Sequence, residues 1–500
     1  MANSTDLTRR ELLAGAGAGA AALLLDAGSI QAQPAAGTTV VFANTTVVTV
    51  DAVQDNVALA VTGDRIAAIG PTDQVLQKYP RAEIYNGRGK ALFPGLINCH
   101  AHLGATLERG FNEDFGFPNS SKLAVRPGSL LQPGEATLMV TIGALEAIRT
   151  GTTTLVEMSS GIAPHAAALA GSGLRMVLAE AVRDSENVAG PMAPEGFANS
   201  VTPKFSPKLR DEGLQRISDL FAAWHGKNGG RISVFPAAAL AETSSPELLQ
   251  AVRAFAEKHD LGYTIHLSQS VAEVDFMLKH HGLRPPAFLN RHGYLGPRLF
   301  AAHCRYVDDA DIAVLAKSGT VISHQAGMAA NRGVIPPIHR LRAAGCPIAN
   351  GTDNNTNDLF EVMRIALLTE RIQRNDPFPG VRPQPEDMLE DATLGGARAV
   401  NQPRSIGSLE VGKKADLLVV DTLRAHLVPA GRIVSAWIHN GQPADIESVM
   451  IDGQFVMRNR KVLTMDEDRI VAEADRVGRR IWDQVKAAGA IAIPGRPRQR

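Results

Sequence analysis

The sequence predicts an α/β protein: a (β/α)8 barrel with a small β-sandwich domain formed from both chain ends. Three observations lead there. Between about residues 92 and 402, apolar strand candidates alternate with helical stretches, and eight such strands over roughly 300 residues match a closed parallel barrel. The flanks 38–91 and 405–464 share a different texture of short β-branched runs and turns, as if they belonged to one sheet. No Gly-rich phosphate turn follows the first apolar strand, which counts against a doubly wound sheet.

Residues 1–36 are expected to lie outside the fold. Thr8-Arg9-Arg10-Glu11-Leu12-Leu13 opens an Ala/Gly/Leu run to Leu25, with Ala32 and Ala36 as candidate cleavage ends. A twin arginine before a short, weakly apolar stretch resembles a Tat export signal. The run is too short and Gly-rich to cross about 30 Å of hydrocarbon, so a periplasmic or secreted mature protein is expected, without stable membrane association. Residues 37–91 make the first part of the sandwich, in runs such as TTVVFANTTVVTVD and NVALAVTGDRIAAIG. The barrel follows at 92–402, with strands at 92–100, 152–158, 175–182, 231–238, 262–268, 298–304, 320–325 and 347–353. Stretches such as PELLQAVRAFAEKHD and DADIAVLAKSG read as its helices. The second part of the sandwich spans 403–465, including GSLEVGKKADLLVVD, IVSAWIHNG and IESVMIDGQFVMRNRKVL. An amphipathic helix at 466–488 and a polar tail close the chain to residue 500.

Composition narrows the function. The 51 basic and 51 acidic side chains cancel, so no basic face for nucleic acid or acidic membrane is expected. Three cysteines in 500 residues exclude a disulfide scaffold. A small molecule is the expected partner, and the exposed helices of such barrels often make homodimers.

The unusual polar residues fall at strand ends, where barrels carry their chemistry. The first barrel strand ends in His100-Ala101-His102, and residues i and i+2 of a strand point the same way. Two imidazoles then converge on one point, as chelation requires. His266, His303 and His324 end the fifth, sixth and seventh strands, and Asp353 ends the eighth. Five imidazoles and a carboxylate at matching strand ends make a metal site. His280, His281, His292 and His426 have no such placement. Cys99 and Cys304 should face the opposite way, into packing.

FPGLINCHAHL, TIHLSQS, AAHC with DDADIAVLAKSGTVISH, and GTDNNTNDLFEVMR together resemble the amidohydrolase superfamily. The likeness covers roughly 38–465 and is nearest the chlorohydrolase, S-adenosylhomocysteine deaminase and guanine deaminase branch. It implies His100, His102, His266 and Asp353 as metal ligands, with Asp353 also a general base. It implies His303 as the histidine that orients and deprotonates the attacking water, and His324 as a substrate contact. No lysine ends the fourth strand, which argues for one metal ion. Three histidines and one carboxylate suit Zn2+ best, with Fe2+, Mn2+ or Co2+ next. Such an ion lowers the pKa of its water toward about 7.

Two positions depart from that branch. Its deaminases carry His-x-x-Glu on strand five, where the Glu protonates a ring nitrogen; here the run is His266-Leu267-Ser268-Gln269. Gln269 can donate or accept a hydrogen bond but cannot deliver a proton. Its histidine after strand four is replaced by Pro236-Ala237-Ala238-Ala239. The reading is therefore a hydrolase cleaving a non-peptide C–N bond of an amide, urea or carbamate, with Gln269 orienting the substrate. The alternatives are a deaminase or dechlorinase acting on an N-heteroaromatic ring, and an inactive metal-binding periplasmic binding protein. The loop after His102 should cover the site, with Phe111, Phe115 and Phe117 as apolar lining or as loop packing. Arg109 is the candidate there for an anionic substrate group, or for a structural ion pair. Asn354, Asn355 and Asn357 stand beside Asp353, and a structural role suits them best.

Overall fold

The computed structural model describes residues 38–49, 52–115, 123–188, 201–354, 356–376, 382–489 and 491. The expected export signal, Phe117 and Asn355 lie outside them.

Eight strands form one parallel sheet in sequence order: Leu96–Ala101, Thr152–Ser159, Arg175–Val182, Ile232–Leu240, Tyr263–Leu267, Leu299–His303, Val321–His324 and Ile348–Asn350. They are almost wholly buried, as strands covered on both faces must be. The first and last close the barrel. Thr352 N and Asp353 N both donate to His100 O at 2.9 Å, and His102 N donates to Asp353 O at 3.2 Å. Gly351 allows the approach: a Cβ there would lie 2.9 Å from Cβ, N and O of His100.

The expected strand 92–100 divides in two. Lys90–Pro94 belongs to the other sheet and Leu96–Ala101 begins the barrel. Pro94 offers no N–H to continue a ladder, and Gly95 passes so close to Thr153 that a Cβ would sit 2.2 Å from its Oγ1.

The second sheet has nine strands, five from before the barrel and four from after it. Strands Thr39–Val48 and Gln454–Arg458 lie four places apart in its order, yet Phe42 and Phe455 have ring centroids 6.2 Å apart. The sheet therefore curls over an apolar filling that also holds Tyr85, Leu92, Leu417 and Met450. A buried ion group joins it to the barrel. Arg175, opening the third barrel strand, donates from Nε and Nη2 to both carboxylate oxygens of Asp416, at 3.0 and 3.1 Å, and from Nη2 to Asp452 at 2.6 Å.

One stretch read as strand is helical. Ile433–Asn440 is an α-helix whose buried residues, Val434, Trp437 and Ile438, fall at i, i+3 and i+4. Trp437 fixes it, with its ring 4.2 Å from Phe93 and 4.8 Å from Phe360. Packing overrode the local β-branched signal.

The amphipathic C-terminal segment is the helix Glu467–Ala488, capped by Asp466. Its buried stripe of Ile470, Val477, Ile481 and Val485 lies in the same core as the helix Glu135–Arg149. Trp482 Nε1 donates to Leu107 O at 2.9 Å, and its ring packs 5.6 Å from Phe111. The last helix thus holds the loop that follows His102. No described helix is long and apolar enough to cross a membrane.

Candidate metal centre and active site

His100 lies in the first strand with its ring buried, and neither ring nitrogen has a hydrogen-bond partner. His102 follows that strand, and its Nδ1 is 2.6 Å from Met158 O; His266, on the fifth strand, has Nδ1 2.8 Å from Ala239 O. A carbonyl can only accept, so each Nδ1 carries the proton and each Nε2 presents a lone pair. Those two Nε2 atoms face each other at 3.2 Å. Two lone pairs at that distance repel unless a cation lies between them. Ligands about 2.0–2.1 Å from a tetrahedral ion stand about 3.3 Å apart, so the spacing fits zinc. Asp353 Oδ1 adds a carboxylate 3.6 Å from His102 Nε2.

Two overlapping groups can hold an ion: His100, His102 and Asp353, and His100, His266 and His303. His303 is buried without hydrogen bonds to its ring, and its Nδ1 is 3.8 Å from Asp353 Oδ2. Burial, with the neighbouring imidazoles, holds His100 and His303 well below the usual histidine range, and brings His266 to about 3. All three imidazoles are neutral at physiological pH. Burial raises the Asp353 carboxyl above its ordinary value, which a bound cation would reverse.

Four residues at the same place hold left-handed backbone. Ser268, His303, Cys304 and Asp353 have φ of 48°, 78°, 50° and 64°, a left-handed region that costs side-chain-bearing residues about 1–3 kcal/mol each. Asp353 lies beyond the eighth strand, which ends at Asn350, and reaches the centre through this turn.

A cavity of about 490 Å3 opens onto the centre, lined by His102, His266, His303, Asp353 and Gln269 among others. Gln269 N donates to Glu273 Oε2 at 2.7 Å, and Ser268 N to its Oε1 at 2.7 Å, so the turn carrying Gln269 is set by a buried carboxylate.

Two residues expected at the substrate are not among those lining this cavity. Arg109 does not line this cavity; its guanidinium pairs with Glu146, which also accepts from Thr356 at 3.2 Å and Asn357 at 2.9 Å. It ties the loop after the first strand to the loop after the eighth. His324 does not line the cavity either: its ring is buried without a hydrogen bond, and burial lowers it to about 3. The short seventh strand ends at His324. Phe111 is buried against Trp482, as loop packing. Asn354 lines the cavity, and its carbonyl accepts from Asn112 Nδ2 at 3.3 Å. Cys99 and Cys304 are buried.

Sequence reasoning missed Arg183, Arg305 and Arg332, all on the cavity wall. Arg183 and Arg305 follow strand ends, Arg305 two positions after His303, and that placement was the available signal, whereas Arg332 follows the short helix Ala326–Asn331.

The model of the amidohydrolase family matches residues 91–456. A 5-methylthioadenosine/S-adenosylhomocysteine deaminase of Desulforudis audaxviator is 32% identical over 85% of this chain and 95% of its own. A 5'-deoxyadenosine deaminase of Methanobrevibacter smithii is 31% identical over 83% of this chain and 92% of its own. Among solved structures, an adenosine deaminase from Xanthomonas campestris with bound zinc superposes with a TM-score of 0.78 at 26% identity, covering 90% of this chain and all of its own.

Proposed function

The chain belongs to the amidohydrolase family, and from that premise we propose that it hydrolyses an acyclic amide, urea or carbamate with one divalent ion. It is a hydrolase of C–N bonds other than peptide bonds. Gln269 carries the acyclic reading. It lines the cavity with Ala239, and neither can protonate a ring nitrogen, whereas an acyclic substrate needs only its leaving amine protonated.

In this reading His100, His102, His266 and Asp353 hold the ion, and zinc fits their donor set best. When bound, the ion supplies a Lewis acid that makes a water acidic enough to lose a proton near neutral pH. Asp353 accepts that proton, His303 holds the attacking water in line and relays the same proton from Asp353 to the departing nitrogen, and Gln269 orients the carbonyl by hydrogen bonding. The strained turns at His303 and Asp353 fix both groups before substrate arrives. The twin arginine Arg9-Arg10 supports export of the protein to the periplasm.

A second reading, deamination of an adenosine-type ring, is favoured by the names of the relatives. A metal analysis with a turnover screen separates the two. Simple amides, ureas and carbamates should be cleaved, with about one metal ion per chain. Turnover of 5'-deoxyadenosine with none of acyclic substrates would overturn the acyclic reading. His100→Ala should lose both metal and turnover.

A further inference from the structure

The cavity wall carries three arginines. Arg183, Arg305 and Arg332 line it, against two carboxylates: Glu108, and Asp353, which belongs to the metal group. Glu113 lies near enough to Arg332 to act on its charge. Arg305 is the informative one. Its Nε and Nη2 donate to Gln269 O at 3.0 and 2.6 Å, which locks the guanidinium in place. Nη1 has only the Met328 sulfur, at 3.4 Å, a weak acceptor. Among the described residues no carboxylate pairs with Arg305. Two other arginines withdrawn from water are answered by acids, whereas Arg364 and Arg460, also partly buried, bond to backbone carbonyls. Arg175 is paired by Asp416 and Asp452, and Arg342 by Glu370 at 3.2 Å and Asp391 at 2.7 Å. Arg305 is partly buried and always charged; Asp353 and Glu273 lie near enough to act on its charge, but its Nη1 has no strong acceptor.

We propose that the substrate of this site carries a carboxylate, received by Arg305 with Arg332 and Arg183 beside it, while its scissile C–N bond lies against His102, His303 and Asp353. This rests on the C–N hydrolase reading and adds the substrate class. An N-acyl amino acid is a substrate of this class. Arg305 anchors the carboxylate, and Gly104, Ala105, Ala239, Leu240 and Met328 offer an apolar wall for the acyl or side-chain carbons. In the reaction the water oxygen bonds to the acyl carbon, the C–N bond breaks, and the nitrogen takes the proton through His303. A free carboxylic acid and an amino acid are released, with no further reactant.

The test uses N-acetylleucine and its decarboxylated counterpart N-isopentylacetamide. A charge-assisted Arg–carboxylate contact is worth roughly 10–100-fold, so kcat/KM should favour N-acetylleucine by about that factor. Arg305→Met and Arg332→Met should each reduce the preference, and Arg332→Met leaves the Gln269 contact intact. A second readout needs no turnover. Calorimetry on the metal-depleted protein should show N-acetylleucine binding that weakens with salt, and no comparable binding of N-isopentylacetamide. Equal kcat/KM for the two amides with no binding difference would overturn the carboxylate and leave C–N hydrolysis standing. Salt-sensitive binding of N-acetylleucine without cleavage of any amide would support the carboxylate and sink the acyclic hydrolase reading. Inorganic phosphate binding more tightly than N-acetylleucine would overturn the carboxylate in favour of a phosphate.

Discussion

Replacing Gly351 with alanine should weaken metal binding without touching a ligand. The new Cβ would stand 2.9 Å from Cβ, N and O of His100, short of ordinary contact at 3.4 Å by 0.5 Å. Two of those three atoms are backbone, so no side-chain rotation relieves the clash. The strand carrying His100 and His102 must move away from the eighth strand, against the bonds from Thr352 N and Asp353 N to His100 O. Metal ligands tolerate displacements of about 0.2 Å, so zinc affinity should fall about 10–100-fold, the usual effect of disturbing the surroundings of a ligand. Overpacking costs about 1–3 kcal/mol. For a chain of this size the unfolding entropy is roughly 1 kcal/mol/K, so Tm should drop by about 1–3 °C. The assay is zinc competition against a chelator, with thermal melts in parallel. The control is Gly70→Ala, where a Cβ meets nothing within 4 Å. If Gly351→Ala binds zinc and melts like Gly70→Ala, the closure of the barrel does not position the metal site.

Gln269→Glu should lower turnover of an acyclic substrate by roughly 10²–10³, because a carboxylate would face the developing oxyanion; deaminase activity rising instead, measured on 5'-deoxyadenosine, would reverse the proposed substrate class. Glu242 is fully buried and neither oxygen has a hydrogen-bond partner; burial and then the Glu273 charge raise it well above the carboxylate range, while burial raises Glu273 to about 7. The folded protein therefore holds protons the unfolded chain has released above about pH 4.3. The stability this contributes is full below that value and is lost as pH rises through about 7. Glu242→Gln should flatten the fall of Tm between pH 5 and 8 and melt higher than the parent at pH 8; an unchanged slope would show that Glu242 is not part of this titration. Arg9→Lys with Arg10→Lys should leave precursor in the cytoplasm, and an unchanged periplasmic yield on fractionation would dismiss the twin-arginine assignment.

Much of the site was legible because barrel strands impose simple rules. Alternation puts His100 and His102 on one side of a strand, and the closed parallel sheet gathers strand ends from across the chain, so His266, His303 and Asp353 could be placed together before any distance was known. The helix 467–488 was legible from its own 3.6-residue stripe. Local sequence failed where distant neighbours decided. Residues 433–440 look like a strand until Phe93 and Phe360 claim Trp437 from both sides. His324 ends a strand like the other histidines, yet is not among the residues lining the cavity, and no pattern along the chain records that. Arg109 was weighed as an anion ligand although Glu146, in a helix 37 positions on, already holds it. The three arginines of the cavity wall come from three different connections between barrel strands, Arg332 from the end of a short helix. A guanidinium's role depends on which carboxylates the fold brings within a few ångströms, and that is set by tertiary structure, whereas the spacing of His100 and His102 is set by the geometry of one strand.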